Sequence, residues 1–251
     1  MTQEFASLPK SKAEYVARRL LDRIIASNLK PGSSFGTEAE LLEQYDVSRP
    51  TLRESLRILE AQGVLELRPG PRGGILVSKP GMDVLAHGLS VYLRLHEVPF
   101  LEVLKAREAI EPALAASAAE FADEQDLLDM QASIDRMQES NESTDFIEEN
   151  RIFHSLVARA SKNQVISIFW STISMLAAGD QYGVNYTEKN RQFVISAHQA
   201  ILDAIKNKDA GRASTLMGEH LGELERLLGK NYRSLMRRET DIVQRRGRRI
   251  G

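Results

Sequence analysis

The sequence predicts a mainly α-helical protein in which an N-terminal winged helix-turn-helix, made of three helices and a β-hairpin, precedes an all-α helical bundle. Three observations predict this class. Capped runs with helical spacing fill residues 11–63, and two short strand-like runs flank a Gly/Pro turn after them. Beyond Pro80, helical periodicity continues without strand-period alternation.

Start and stop signals bound the first three helices. Apolar residues recur at helical spacing over residues 11–27, which predicts the first helix. Thr37, followed three residues later by Glu40, has the capping-box pattern that begins a second helix. Ser48 caps the third helix, and Gly63 marks its end.

The hairpin and the later breaks set the expected domain boundaries. The run "VLELRPGPRGGILVSKP" predicts two short strands joined by a Gly/Pro turn. The rest is divided into about six or seven helices by breaks near Pro99, Asp123, residues 139–145, Asn163, residues 183–186 and residues 206–209. We expect a winged helix-turn-helix at 10–80, a connecting helix at 81–98, an all-helical domain at 99–230 and a basic tail at 231–251.

The composition is that of a soluble globular protein. The 251-residue chain is 42% hydrophobic and 27% charged. It has no cysteine, which excludes disulfides and thiolate metal ligands. The N-terminus lacks the apolar core of a signal peptide, and no segment has the length of a membrane span. We therefore expect a cytoplasmic protein with no membrane partner.

Charge is distributed unevenly along the chain. Residues 1–80 contain 12 Lys and Arg against 10 Asp and Glu, residues 81–230 contain 14 against 23, and residues 231–251 contain 7 against 2. Only the two ends are therefore suited to a polyanionic partner. For the tail, a solvated end is the preferred interpretation, and loose attraction to phosphate is the alternative.

The predicted third helix carries three arginines on one face. Arg49, Arg53 and Arg57 fall within an arc of about 80° on a helix that advances about 100° per residue, and leucines occupy the other side. Guanidinium groups bind phosphate oxygens and the O6/N7 edge of guanine, so this helix suits the DNA major groove. A solvated charged face is the alternative, but the order of caps, tight turn and hairpin favours DNA.

Three of the five histidines point into the apolar arcs of three different helices. They are His154, His198 and His220, and Asn150 precedes His154 by one helical turn. One inward histidine is usually a satisfied core residue, but several buried imidazoles are costly unless each has a partner. A divalent cation would satisfy them together, zinc first, with nickel, manganese or iron as alternatives. Spacing alone leaves a metal site and a metal-free polar core equally open.

Arg107 lies inside the apolar face of the helix expected over residues 99–121. A buried guanidinium requires an anion. Glu111, four residues later, and Glu108 are candidate partners within the helix, and an anionic ligand is the alternative.

The run "GTEAELLEQYDVSRPTLRESLRILEAQGVLELRPGPRGGILV" resembles the DNA-binding domain of the GntR superfamily, and the resemblance covers roughly residues 12–78. It implies that Arg49 and Arg53 read bases. It also implies that three hydroxyl residues contact phosphate and that the hairpin turn approaches the minor groove. The hydroxyl residues are Thr37, Ser48 and Thr51, and the turn residues are Gly70, Arg72 and Gly73.

Three further segments, "LKAREAIEPALAA", "NRIFH" and "SAHQAILDAIKNKDAGRASTLMGEHL", look like the FCD effector domain of the FadR-like branch of that superfamily. There, an Asp and a His spaced as Asn150 and His154 are, with histidines matching His198 and His220, bind a divalent metal. The resemblance also implies that Arg107 and the metal hold an effector carboxylate. Asn150 departs from the usual Asp, and its neutral amide would bind metal more weakly and leave the site more positive.

These features together lead us to expect a homodimeric, ligand-responsive transcriptional regulator, most often a repressor in this family. Its partners would be a pseudo-palindromic double-stranded DNA operator and a small organic acid, such as a sugar acid or another carboxylate. One alternative makes the metal, or a metal-free His cluster, purely structural. A metal-dependent hydrolase or isomerase is disfavoured because no persuasive general base or nucleophile motif accompanies the histidines.

Overall fold

A computed structural model describes residues 10–70, 74–140, 142–177 and 186–231. The chain divides into two compact units, Met1–Val84 and Leu85–Gly251. Among the residues described, no helix combines the length and the apolar character needed to span a membrane.

The first unit is a winged helix-turn-helix with a three-stranded sheet. Its elements are α1 (Lys12–Ala26), β1 (Ser34–Gly36), α2 (Glu38–Tyr45), α3 (Arg49–Ala61), β2 (Leu65–Arg68) and β3 (Gly74–Val77). The sheet order is β1-β3-β2, and both strand pairs are antiparallel. β2 and β3 form the predicted hairpin. β1 is not among the sequence predictions, because three residues are too few to show a strand period.

Side-chain caps fix both helices of the helix-turn-helix. Thr37 and Glu40 form the predicted capping box at the start of α2. Ser48 accepts a hydrogen bond from the backbone N–H of Thr51 at the start of α3. Each such cap contributes about 1 kcal/mol of helix stability. Asp46, in the left-handed conformation with φ 47°, ends α2 and keeps the turn to α3 short.

The apolar faces of α1 and α3 pack against each other and against the sheet. Leu20 of α1 and Leu52 and Leu59 of α3 are fully buried, and Phe35 of β1 and Val77 of β3 close the same core. Burying one leucine contributes about 1.5–3 kcal/mol. This packing fixes the rotation of α3 and therefore turns its arginine face outward.

The second unit is helical throughout its described residues. Its helices are α4 (Met82–Leu95), which begins at the boundary, α5 (Phe100–Phe121), α6 (Glu124–Glu139), α7 (Ser143–Ala160), α8 (Gln164–Leu176), α9 (Glu188–Lys206) and α10 (Ala210–Asn231). Five predicted breaks coincide with helix ends. Pro99, Asp123 and Asn163 precede α5, α6 and α8, the break at 139–145 separates α6 from α7, and Asn207 follows α9. The predicted break at 183–186 lies largely outside the described residues. The predicted mainly α-helical class is confirmed.

α5 occupies the centre of the second unit and packs against α7, α8, α9 and α10. Its fully buried alanines, Ala115 and Ala118, have little volume, so neighbouring helices approach closely. Phe146 and Phe153 of α7 fill the same core. Four of these helices, α5, α7, α9 and α10, also carry the buried polar side chains described below.

Asp123 provides a test of how this unit is stabilised. Its carboxylate accepts from the backbone N–H of Asp126 at 2.9 Å and lies 2.8 Å from Nζ of Lys162. We expect Asp123→Ala to lower the free energy of unfolding by about 1 kcal/mol, because the cap of α6 is lost. Urea denaturation followed by the fluorescence of Trp170, the sole tryptophan, measures this change.

The matched control is Asp135→Ala, which removes an exposed acidic side chain from the middle of α6. We expect it to change the free energy of unfolding by no more than about 0.5 kcal/mol. Equal losses for the two variants would contradict the role of the cap.

Candidate functional site

α3 presents its arginines to solvent and its leucines to the core. The side chains of Arg49 and Arg53 are 69% and 64% exposed. Arg57 is exposed as well, whereas Leu52 and Leu56 are buried. The guanidinium groups of this helix are therefore accessible to a polyanion.

Glu38, in the first turn of α2, contacts two of these arginines. Nε of Arg53 donates to the Glu38 oxygens at 3.0 and 3.2 Å, and Nη1 of Arg49 lies 3.7 Å from Oε1. Because this contact uses Nε, the terminal nitrogens of Arg53 remain for a base or a phosphate. Glu38 is missing from the sequence prediction, since it precedes Arg53 by 15 residues and only the fold brings the two together.

The other residues predicted to contact DNA lie at helix starts and in the hairpin turn. Oγ of Ser48 is 2.8 Å from Oγ1 of Thr51, and Thr37 caps α2, so the three hydroxyls all lie at helix N-termini. Backbone N–H groups at such termini favour phosphate. Gly70 has φ +98°, a conformation that favours glycine. Two predicted turn residues lie outside the described residues: Arg72 and Gly73.

His154, His198 and His220 meet inside the second unit. They come from α7, α9 and α10, and each is buried. Nε2 of His220 lies 3.3 Å from Nε2 of His198 and 3.3 Å from Nε2 of His154. One ring nitrogen from each histidine lies within 4.8 Å of the other two. The fold thus brings together three residues that the sequence placed on separate helices.

Phe153 orients one of these rings. Its own ring stacks on that of His198, with the centroids 3.9 Å apart and the planes 13° apart. Because Phe153 and His154 are consecutive, α7 supplies one histidine of the cluster and also supports a second.

Glu111 connects the histidine cluster to Arg107. Its Oε1 accepts from Nε of Arg107 at 2.5 Å, and its Oε2 lies 2.5 Å from Nδ1 of His154. All three side chains are at most 9% exposed. Arg107 thus pairs with Glu111, one of its two candidate partners within the helix. The contact with His154, 43 residues along the chain, is not a sequence prediction.

Asn150 lies one helical turn before His154 on α7 and is only half-buried. Its side chain forms no hydrogen bond with another residue of the described segments. Its amide oxygen is therefore available to a ligand or to water.

Burial and nearby charge set the protonation states in the cluster. Burial, aided by the neighbouring histidines, lowers the pKa of His198 well below its usual value. Burial also lowers the pKa of His220 to about 3. Burial raises the pKa of Glu111, but Arg107 and His154 outweigh it and hold that pKa below the usual range. Neutral imidazoles beside an ionised carboxylate are the forms that a metal ligand set requires.

Hydrogen-bond accounting identifies the unpaired nitrogens of the cluster. Within the described residues, three buried side-chain nitrogens lack a partner, and two are Nδ1 of His198 and Nδ1 of His220; the third is Nε1 of Trp170. A neutral imidazole has one N–H and one lone pair. If each ring carries its proton on Nδ1, as the Glu111 contact favours for His154, three lone pairs face one another at Nε2.

The spacing of these nitrogens fits a divalent metal. Two imidazole nitrogens bound to one tetrahedral zinc at about 2.0–2.1 Å lie roughly 3.3 Å apart. The two short Nε2 separations are both 3.3 Å. These two separations and the imidazole donors therefore suit zinc or a similar cation, and all three ring nitrogens lie within 4.8 Å of one another.

A relative decides the family. The chain is 31% identical over 213 residues to the uncharacterized HTH-type transcriptional regulator YcbG of Bacillus subtilis, across 84% of this chain and 88% of that protein. This chain belongs to the GntR family. Residues 12–77 match the model for bacterial regulatory proteins of the gntR family, and residues 102–223 match the FCD domain.

Two further proteins are similar to this chain. The chain is 27% identical over 209 residues to the galactonate operon transcriptional repressor of Escherichia coli, across 81% of this chain and 90% of that protein. The structure of Streptococcus agalactiae GntR shares the fold, with a TM-score of 0.64 and 24% identity over 85% of this chain and 99% of that one. This GntR protein is thus a DNA-binding transcriptional regulator with an FCD domain, and it is not an enzyme.

Arg53 provides a test of the DNA-reading helix. We expect Arg53→Ala to weaken binding roughly tenfold or more, because a bidentate arginine–guanine contact contributes about 1–3 kcal/mol. Fluorescence anisotropy at fixed salt measures the change on a DNA site that the wild-type protein has selected from a random pool. Arg18→Ala, which removes an exposed arginine from α1, is the control. Equal affinities of Arg53→Ala and wild type would contradict the assignment.

The lowered pKa of His220 predicts acid sensitivity of the metal-free protein. The unfolded chain binds a proton on this ring below about pH 6.5, whereas the folded chain resists protonation until about pH 3. Stability therefore falls as the pH falls, by about 2 kcal/mol between pH 7 and 5 for one such histidine. Urea denaturation in the presence of a chelator measures this loss.

The control for this pH dependence is a pair of histidine variants. We expect His220→Asn to reduce the fall between pH 7 and 5 without abolishing it, because buried His198 also resists protonation. We expect His87→Asn, at an exposed position of α4, to leave the fall unchanged. A wild-type stability that is constant over this range would contradict neutral burial of His220.

Proposed function

We propose that this GntR regulator is a repressor whose operator binding is controlled by a small organic acid bound at a metal centre in its helical domain. The convergence of three buried Nε2 atoms close to Arg107 is the observation that carries this proposal. The exposed arginine face of α3 provides the DNA-binding half.

The metal would be held by His154, His198 and His220, with Asn150 adding its amide oxygen. Zinc is the first candidate, and nickel, manganese or iron are alternatives. A bound cation would supply a positive centre that attracts an anion. Because the amide and the imidazoles are neutral donors, no ligand charge would offset that of the metal. The site would therefore favour a carboxylate over a neutral ligand.

Arg107 would bind the same carboxylate. Its Nε is engaged with Glu111, so its terminal nitrogens are the ones that would form a two-pronged contact with an acid. One relative is named as the galactonate operon transcriptional repressor, and galactonate is a sugar acid. Sugar acids and other small carboxylates are therefore the class to test first.

The proposed roles are assigned to consecutive segments of the chain. The winged helix-turn-helix at 10–80 would bind DNA, and the helix at 81–98 would connect it to the helical domain. The helical domain at 99–230 would bind the ligand and dimerise, and residues 231–251 would form a basic tail. A homodimer would present two copies of α3 to the half-sites of a pseudo-palindromic operator. The acid would control DNA binding if its affinity differs between two arrangements of the helical domain.

One observation favours a second assignment. Glu111 already supplies an anion to Arg107 and a hydrogen-bond acceptor to His154, so these two groups are satisfied without a ligand. The cluster could then serve only stability, with or without a metal. DNA binding would remain, and sensing would occur elsewhere.

Metal analysis tests the proposal. We expect the purified protein to contain about one zinc per chain and a chelator to lower the melting temperature by roughly 5–10 °C, because a tightly bound ion stabilises the folded state. His198→Ala should lose the metal, whereas His87→Ala should retain it. Elemental analysis and thermal melts provide both readouts.

The outcomes separate the two assignments. A protein that takes up no zinc and does not respond to a chelator would leave the three histidines as a metal-free polar cluster of the core. A stoichiometric metal, combined with operator affinity that no sugar acid or other small carboxylate changes, would favour the structural assignment.

A further inference from the structure

Glu111 is a buried acidic group to which the proposed function assigns no role. We propose that Glu111 is the positioning residue of the metal centre, which orients His154 toward the metal with one oxygen and couples that ligand to Arg107 with the other. This inference rests on the proposed metal site and deepens it.

The first step concerns the His154 ring. A neutral imidazole carries a single N–H, and Oε2 of Glu111 lies 2.5 Å from Nδ1. An ionised carboxylate only accepts hydrogen bonds, so the proton is assigned to Nδ1. Nε2 is then left with the lone pair, and it faces Nε2 of His220 at 3.3 Å. Glu111 thus selects the tautomer that binds metal through Nε2.

The second step compares the three histidines. Nδ1 of His198 and Nδ1 of His220 have no partner within the described segments, so no acceptor there selects a tautomer for those rings. Histidines that bind metal usually donate their second ring nitrogen to a carboxylate, a carbonyl or water. His154 is therefore the one ligand of the described cluster whose orientation depends on a charged protein group.

The third step concerns Arg107. Its Nε donates to Oε1 of the same carboxylate at 2.5 Å, on the same helix one turn earlier. Because Glu111 contacts both groups, a change in the position or charge of the guanidinium shifts Glu111 and, through it, the His154 ring. An acid that binds Arg107 would therefore change the position of His154 without contacting the His154 ring.

Zinc affinity tests the positioning role. We expect Glu111→Gln to weaken zinc binding about 10- to 100-fold, since the outer partner of a metal-binding histidine typically has this effect. Competition with a colorimetric chelator measures the affinity, and the visible spectrum of the cobalt-loaded protein reports the ligand geometry. We expect the cobalt spectrum of Glu111→Gln to differ from that of wild type.

The matched control is Asp126→Asn. Asp126 is as buried as Glu111 and pairs with Lys162 and Arg159, but it contacts no histidine of the cluster. We expect Asp126→Asn to lower the melting temperature. Its zinc affinity should stay within about threefold of wild type, and its cobalt spectrum should be unchanged. A general loss of stability would instead weaken zinc binding equally in the two variants, which would overturn the proposal.

The coupling to Arg107 has its own test. Arg107→Gln should change zinc affinity in the wild-type background and leave it unchanged in the Glu111→Gln background, because the signal passes through Glu111. Equal changes in both backgrounds would mean that Arg107 acts directly on the metal, and the coupling would be wrong.

A measurement on the wild-type protein covers the case in which Glu111→Gln does not fold. In the zinc-loaded protein, ring-nitrogen NMR should show metal at Nε2 of His154 and a protected proton at Nδ1. Metal at Nδ1, or a proton that exchanges as freely as that of exposed His87, would overturn the inference. A wild-type protein that binds no zinc would refute the proposed function and this inference together. Zinc binding that is equal in wild type and Glu111→Gln would refute the inference alone.

Discussion

The two hydrogen bonds of Glu111, to Arg107 and to His154, are the interaction on which the buried centre of the second unit depends. Neither the carboxylate nor the guanidinium would be stable alone in an interior of this kind. Paired, they carry no net charge, and the remaining oxygen of the carboxylate fixes an imidazole. The alanines and phenylalanines of α5 and α7 can close around this centre because it is electrically balanced and its main hydrogen bonds are formed internally.

The protein uses arginine–glutamate pairs in two opposite environments. Arg53 and Glu38 meet at the surface, where such a pair contributes at most about 1 kcal/mol and competes with water and salt. A phosphate or a base can replace Glu38 at little cost, which suits reversible binding to DNA. Arg107 and Glu111 meet in the interior, where separation leaves an unpaired buried charge. Only an anion that fits the interior could replace Glu111 there, so the same two residue types would favour selectivity in the interior and exchange at the surface.

Most of the architecture and part of the site could be predicted because they depend on local pattern. The predicted caps at Thr37 and Ser48 and the predicted break at Asp123 mark helix starts, and helical periodicity correctly places the three histidines on inward faces. Contacts between distant positions could not be predicted: the period of a helix shows which face is buried but not which rings meet. Glu111 therefore appeared only as a neighbour of Arg107, and Glu38 did not appear at all. Asn150, one helical turn before His154, is only half-buried, which the spacing of the two residues does not show.

The adjacency of Phe153 and His154 has a mechanical consequence. One residue contributes a ring to the cluster, and its chain neighbour stacks on the ring contributed by α9. Any rotation of α7 about its long axis therefore moves the rings of Phe153 and His154 together. A rotation of this one helix would therefore disturb two of the three histidine positions in a single motion: His154 directly, and His198 through the ring that stacks on it.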